Sequence, residues 1–278
     1  MPGRPGRETV RRLALAGIVC LMAGTVAAQE PVLLHAAGSL RGALTEVAQA
    51  FEAQTKLAVK PVYGASGLLH DRIAKGEAAE VFASANMEHP QALARTNRAG
   101  PVVLFARNEL CALVRPDLAA TSETLLERLL DPRVKLGTST PRADPSGDYA
   151  FAVFARAEAV KAGARATLEA KALQLTGSAT SVPAPTGVNV YGHKIASGEA
   201  DIFLAYCTNA QPLAQEQPGI RLVRLPPALA VGADYGLTVL NGASSNGYRL
   251  AMFILSPAGQ TILAKHGFSA PGLPRPQQ

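Results

Sequence analysis

The stretch LLHAAGSLRGALTEVAQAF, Leu33 to Phe51, sets a short apolar strand directly against a helix. Leu40, Leu44, Val47 and Phe51 recur at the spacing of one helical face. Ala36-Ala37-Gly38 leaves the backbone bare at the junction, and Ser39 stands where an N-cap is expected. A lone Ser in that position is usually a cap and nothing more. The alternative is that the amide groups and positive dipole end of the helix face an anion. The rest of the chain decides how much weight that alternative carries.

Outward from this junction, apolar runs alternate with helical patterns. Strands are expected at Val32–His35, Leu57–Val62, Val81–Ser84, Val102–Ala106, Leu110–Val114, Val134–Gly137, Ile202–Tyr206, Ile220–Leu225 and Leu237–Leu240. Helices are expected at Leu40–Phe51, Gly67–Lys75, Glu123–Leu130, Tyr149–Ala159, Val190–Ser197, Tyr248–Leu255 and Pro257–His266. The alternation predicts an α/β fold with mainly parallel sheets. Ligands of such sheets bind beyond the carboxyl ends of strands, so the strand-to-helix junctions are where a site belongs. Pro271–Gln278 reads as a frayed tail.

The chain is 278 residues long with 48% hydrophobic content, enough to bury a large core. Arg4, Arg7, Arg11 and Arg12 precede the apolar run Leu13–Val26, which ends in Ala27-Ala28. That order predicts a cleaved secretory signal peptide over residues 1–28 and export to the periplasm. Its removal takes four Arg and one Glu, lowering the net charge from +6 to +3. No basic cluster interleaved with aromatics remains, so nucleic acid is not an expected partner. Cys111 and Cys207 survive cleavage; in an oxidising compartment they read equally as a structural pair or as two buried thiols.

Three further junctions resemble the first. Gly64-Ala65-Ser66-Gly67 opens a helix after a strand, Pro145-Ser146-Gly147 opens another, and Gly187-Val188-Asn189 a third, followed by a strand that ends at Tyr206. Together they offer hydroxyls and amides without counter-charge, a chemistry suited to a small oxyanion. Competing motifs fail. GVNVYGHK from Gly187 has His193 where a P-loop requires Lys, and GASGL from Gly64 lacks the last Gly of a nucleophile elbow. His35, His70, His89, His193 and His266 show no metal-ligand spacing.

With these residues in view, the chain resembles the periplasmic molybdate-binding proteins of ABC transporters over about Val32 to Phe268. AAGSL, GASGLL, EVFASAN, DPSGDYA, GEADIFLAY and SPAGQTILAKHGF carry the likeness. The resemblance implies a two-lobed, type II solute-binding fold, with lobe I at 29–107 and 237–278, lobe II at 108–236, and the ligand cleft between them. It implies molybdate, and with it tungstate, held by Ser39, Ser66, Ser146, Val188 and Tyr206. No cofactor, protein-ligated metal or catalysis is expected, and the partners would be a membrane permease and its ATPase, served by a monomer. Sulfate or phosphate is the alternative ligand. A secreted hydrolase using Ser66 or Ser39 is the alternative class, and it would need a base.

Overall fold

A computed structural model describes residues 30–209, 213 and 216–271, together with Met1 and Gly3. The expected signal peptide, residues 1–28, and most of the expected tail fall outside the described residues. Among the described residues, nine strands form one mixed sheet, β1 (Val32–Ala37), β2 (Val59–Gly64), β3 (Val81–Ser84), β4 (Val103–Val114), β5 (Leu136–Ser139), β6 (Leu173–Thr176), β7 (Ile202–Tyr206), β8 (Arg221–Arg224) and β9 (Gly232–Val239). Their order is β2-β1-β3-β9-β4-β7-β5-β6, with β8 also against β4. The parallel pairing expected from the sequence holds on the two flanks, β2-β1-β3 and β7-β5-β6. At the centre, β9 and β4 run antiparallel to every neighbour.

The long central strand divides the sheet. Val103–Glu109 pair with β9, whereas Leu110–Val114 pair with β7 and β8. The sequence pattern splits this segment into two strands, because Arg107-Asn108-Glu109 interrupts the apolar run. The backbone nevertheless continues, since those polar residues pair with Asp234, Ala233 and Gly232, and Arg107 Nε meets Asp234 at 2.9 Å. Strand β6, helix Glu88–Arg95 and helix Ala164–Lys171 are additions that the sequence pattern does not show.

Helices α1 (Arg41–Thr55) and α2 (Ser66–Ala74) follow β1 and β2, and α3 (Glu88–Arg95) follows β3. Helix α4 (Leu125–Leu130) precedes β5; α5 (Pro145–Val160) and α6 (Ala164–Lys171) follow it; α7 (Val190–Ala196) precedes β7. In α1, Ala43, Leu44, Val47, Ala48 and Phe51 are buried, forming the apolar face that the spacing predicts. Burying a Leu or Phe side chain stabilises by about 1.5–3 kcal/mol, so this face rather than capping anchors the helix. Cys111 in β4 and Cys207 after β7 form a disulfide with Cα atoms 5.0 Å apart, closing a loop of 96 residues in sequence separation. The free-thiol alternative is therefore not adopted. Among the described residues no helix is long and apolar enough to cross a membrane.

Candidate functional site

Ser39 does not cap α1. It lies in a 3-10 turn, Gly38–Leu40, and Leu40 precedes the helix without a side-chain cap. Its Oγ instead meets Tyr235 Oη at 3.0 Å. Asn108 Nδ2 donates to the same Tyr235 oxygen at 3.3 Å, and Glu109 N donates to Asn108 Oδ1, which fixes the amide orientation. Either hydroxyl can donate in the Ser39–Tyr235 pair, so Ser39 and Tyr235 share one hydrogen bond at the edge of the site.

Ser66 opens α2 and is 1% exposed. Its Oγ accepts from the Ala85 amide at 3.1 Å, so its own proton is unspent. Tyr206, at the end of β7, is 1% exposed, and its Oη has no hydrogen-bond partner. Burial and the neighbouring Tyr235 hold its pKa well above the ordinary phenol value, so it remains a donor at any physiological pH. A buried hydroxyl left unpaired costs about 1–3 kcal/mol; Thr138 Oγ1 and Ser146 Oγ are buried without a partner as well.

These three hydroxyls line one cavity of about 40 Å³, together with Ala37, Gly38, Gly64, Ala65, Ala85, Asp144 and Tyr191. That is room for roughly three waters or one tetrahedral oxyanion. Among the described residues, no Lys, Arg or His lines it. Its walls come from both flanks of the sheet: the ends of β1, β2 and β3 on one side, β7 and the starts of α5 and α7 on the other. The flanks also touch directly, since the Gly67 amide donates to Ala143 O at 2.9 Å. Outside lies an open cleft of about 1000 Å³, sharing Gly38, Ser39, Gly64, Ala65, Asp144 and Tyr191 with the small cavity.

The other two sequence-selected residues stand differently. Ser146 is fully buried with Oγ unpartnered, but its amide donates to Asp144 Oδ1 at 3.1 Å, and it does not line the small cavity. Val188 lines the outer cleft, is 38% exposed, and spends its amide on Pro185 O at 3.1 Å. The first turn of α7 is likewise occupied, because Asn189 Oδ1 accepts from Tyr191 N and Gly192 N. Three wall residues went unread in the sequence: Asp144, Tyr191 and, behind Ser39, Tyr235. For Asp144 a signal existed, since Asp-Pro before a helix is a strong start signature. Among the described residues no group of three His, Cys, Asp or Glu could hold a metal ion.

A mixed α/β fold whose two flanks meet over a small cavity of uncharged donors defines a solute-binding protein. The profile of bacterial extracellular solute-binding proteins matches residues 32–269, and the chain belongs to that family. It is 36% identical over 235 residues to an uncharacterized protein of Pasteurella multocida, covering 84% of this chain and 96% of that one. The periplasmic molybdate-binding protein of Azotobacter vinelandii has a similar fold, with a TM-score of 0.70, 20% identity and coverage of 86% and 99%. So does the sulfate-binding protein SubI of Mycobacterium tuberculosis, with a TM-score of 0.72, 18% identity and coverage of 87% and 88%.

Proposed function

We propose that this chain is the periplasmic substrate-binding component of an ABC importer and captures one small tetrahedral oxyanion in the 40 Å³ cavity. Molybdate and tungstate are the first candidates. Sulfate and phosphate are the alternatives, in keeping with the different anions named for the two similar folds. The observation that carries the reading is the Tyr206 hydroxyl, buried, unpaired and set beside Ser39 and Ser66. Each hydrogen bond to a charged group contributes about 1.5–3 kcal/mol net, so three such donors contribute about 4.5–9 kcal/mol toward holding the anion.

Binding on this account is a closure of two lobes. Lobe I takes residues 29–107 and 237–278 and lobe II residues 108–236; the chain leaves one half of the sheet at Leu110 and is back in it by Gly232. An anion that contacts both halves favours the closed state by its differential affinity for it. The hydrolase alternative lacks its base, because the partners of Ser39 and Ser66 are Tyr235 Oη and the Ala85 amide, not a histidine. Calorimetric titration of the mature protein with molybdate, tungstate, sulfate and phosphate tests the proposal. Saturable one-to-one binding of at least one anion supports it, and no heat from any of the four refutes it.

A further inference from the structure

The small cavity opens into a larger space. Gly38, Ser39, Gly64, Ala65, Asp144 and Tyr191 line both it and the outer cleft, so the two are continuous. Glycine keeps the passage free of side chains, and a Cβ at Gly38 would have only Gly64 O, at 3.9 Å, within 4 Å. Closure of the two halves does not account for the cleft. The Gly67 amide already reaches Ala143 O at 2.9 Å, and a Cβ at Gly67 would not fit against Arg142 O. With that contact made, about 1000 Å³ still lies open outside. Pockets for small organic ligands run to about 300–1000 Å³. A bare tetrahedral anion fills only the inner 40 Å³.

The cleft has two kinds of wall. The loop between β6 and α7 lays Val182, Pro183, Pro185 and Val188 along it, with Val182 70% and Val188 38% exposed. Apolar side chains left open to water inside a cleft are a surface suited to carbon. Across from them stands Arg41, the first residue of α1. A cation there opposes the helix dipole, and no acidic residue in the first turn offsets it. Among the described residues Arg41 has no ion-pair partner, and its guanidinium lies over the Tyr63 ring at 4.7 Å. The other charged groups of the cleft are engaged. Asp144 and Glu216 accept from the Ser146 and Asn189 amides, and His266 is held by Glu46 at 2.9 Å.

We infer that the ligand class of this site is a phosphate monoester with a small polar body, its phosphoryl head in the inner cavity and its body in the outer cleft against Arg41. The inference rests on the anion-capture reading above and names the class of anion. The hydroxyls of Ser39, Ser66 and Tyr206 serve three phosphoryl oxygens; the fourth, turned to the bare glycine rim, carries the carbon. Molybdate and tungstate fill the inner space and leave the cleft to water. An ester adds carbon against the Val182 and Val188 wall and a hydroxyl or acid group at the guanidinium fork of Arg41. Its head keeps two negative charges, against one on a sulfate ester, and so gains more from each donor. The ester is held and released whole, with no bond made or broken.

Calorimetric titration of the mature protein with inorganic phosphate, glycerol 1-phosphate and the matching sulfate ester tests this. Glycerol 1-phosphate is expected to bind one to one, at least about tenfold tighter than phosphate and tighter than the sulfate ester, and to compete with molybdate. In Arg41→Gln its advantage over phosphate should fall below about threefold; the ratio is the readout, because a lost positive charge weakens both anions. A phosphate ester that binds no tighter than inorganic phosphate, or that binds without displacing molybdate, overturns the inference while leaving the anion site standing. A tighter sulfate ester overturns the phosphate class, and an advantage that survives Arg41→Gln intact overturns the placement of the body. If phosphate, sulfate, molybdate and tungstate all fail to bind the parent, the anion reading and the inference fall together. Arg41 is an exposed residue, and the parent comparison of ester with phosphate decides even without the variant.

Discussion

Removing the Tyr206 hydroxyl should move stability and affinity in opposite directions. In the free protein that oxygen is buried without a partner, so Tyr206→Phe deletes a group whose burial costs about 1–3 kcal/mol. The ring keeps its edge contacts with Tyr149 and Tyr235, at centroid distances of 6.2 and 5.6 Å. The free variant should therefore melt at the parent temperature or higher, by about 2–4 °C for each kcal/mol recovered. With anion bound, the same change deletes a charge-assisted donor, a loss of about 1.5–3 kcal/mol, or about ten- to hundredfold in Kd. Melting of the free protein and calorimetric titration at one pH read the two effects separately. A variant that binds as tightly as the parent refutes the reasoning. One that is destabilised and weakened in parallel makes Tyr206 a packing residue.

Ser66→Ala and Ser39→Ala should each weaken anion binding about ten- to hundredfold in titration, whereas Val188→Ala should change it less than about threefold, because Val188 lies outside the small cavity with its amide on Pro185 O. Gly67→Ala should block the contact between the two halves, since a Cβ there would meet the Ala143 carbonyl oxygen at 2.7 Å; small-angle scattering should show the variant no more compact with anion than without, and parent-like compaction would contradict this. Unfolded, unreduced mature protein should show no free thiol. Replacing Cys111 and Cys207 by Ser should cost about 2–5 kcal/mol in denaturant unfolding, and a smaller loss would indicate a disulfide with little structural role.

Much of the fold is legible in the sequence because apolar periodicity reports burial, and burial is what positions α1, α2 and the strands of each flank. Where pairing rather than burial holds a segment, the pattern misleads. Arg107-Asn108-Glu109 reads as a break, yet it is the middle of β4, held by the backbone of Gly232–Asp234. Short β6 shows the same limit: Leu173 and Gln174 are exposed, and register with β5 alone makes it a strand. At the site, the junction rule leads to Ser39, Ser66 and Tyr206, which share one cavity. It does not say which amides are already used, and those of Ser146 and Val188 are. Nor does it show Asp144 or Tyr235, whose places depend on the α5 start packing against Gly177 and on β9 crossing beneath Ser39.

Tungstate soaked into crystals of the mature protein, located by its anomalous scattering, tests the central claim most directly. The account predicts one strong peak in the 40 Å³ cavity, with oxygens within hydrogen-bond distance of the Ser39, Ser66 and Tyr206 hydroxyls. An ordered ion bound elsewhere on the chain, with this cavity filled only by water, would contradict it.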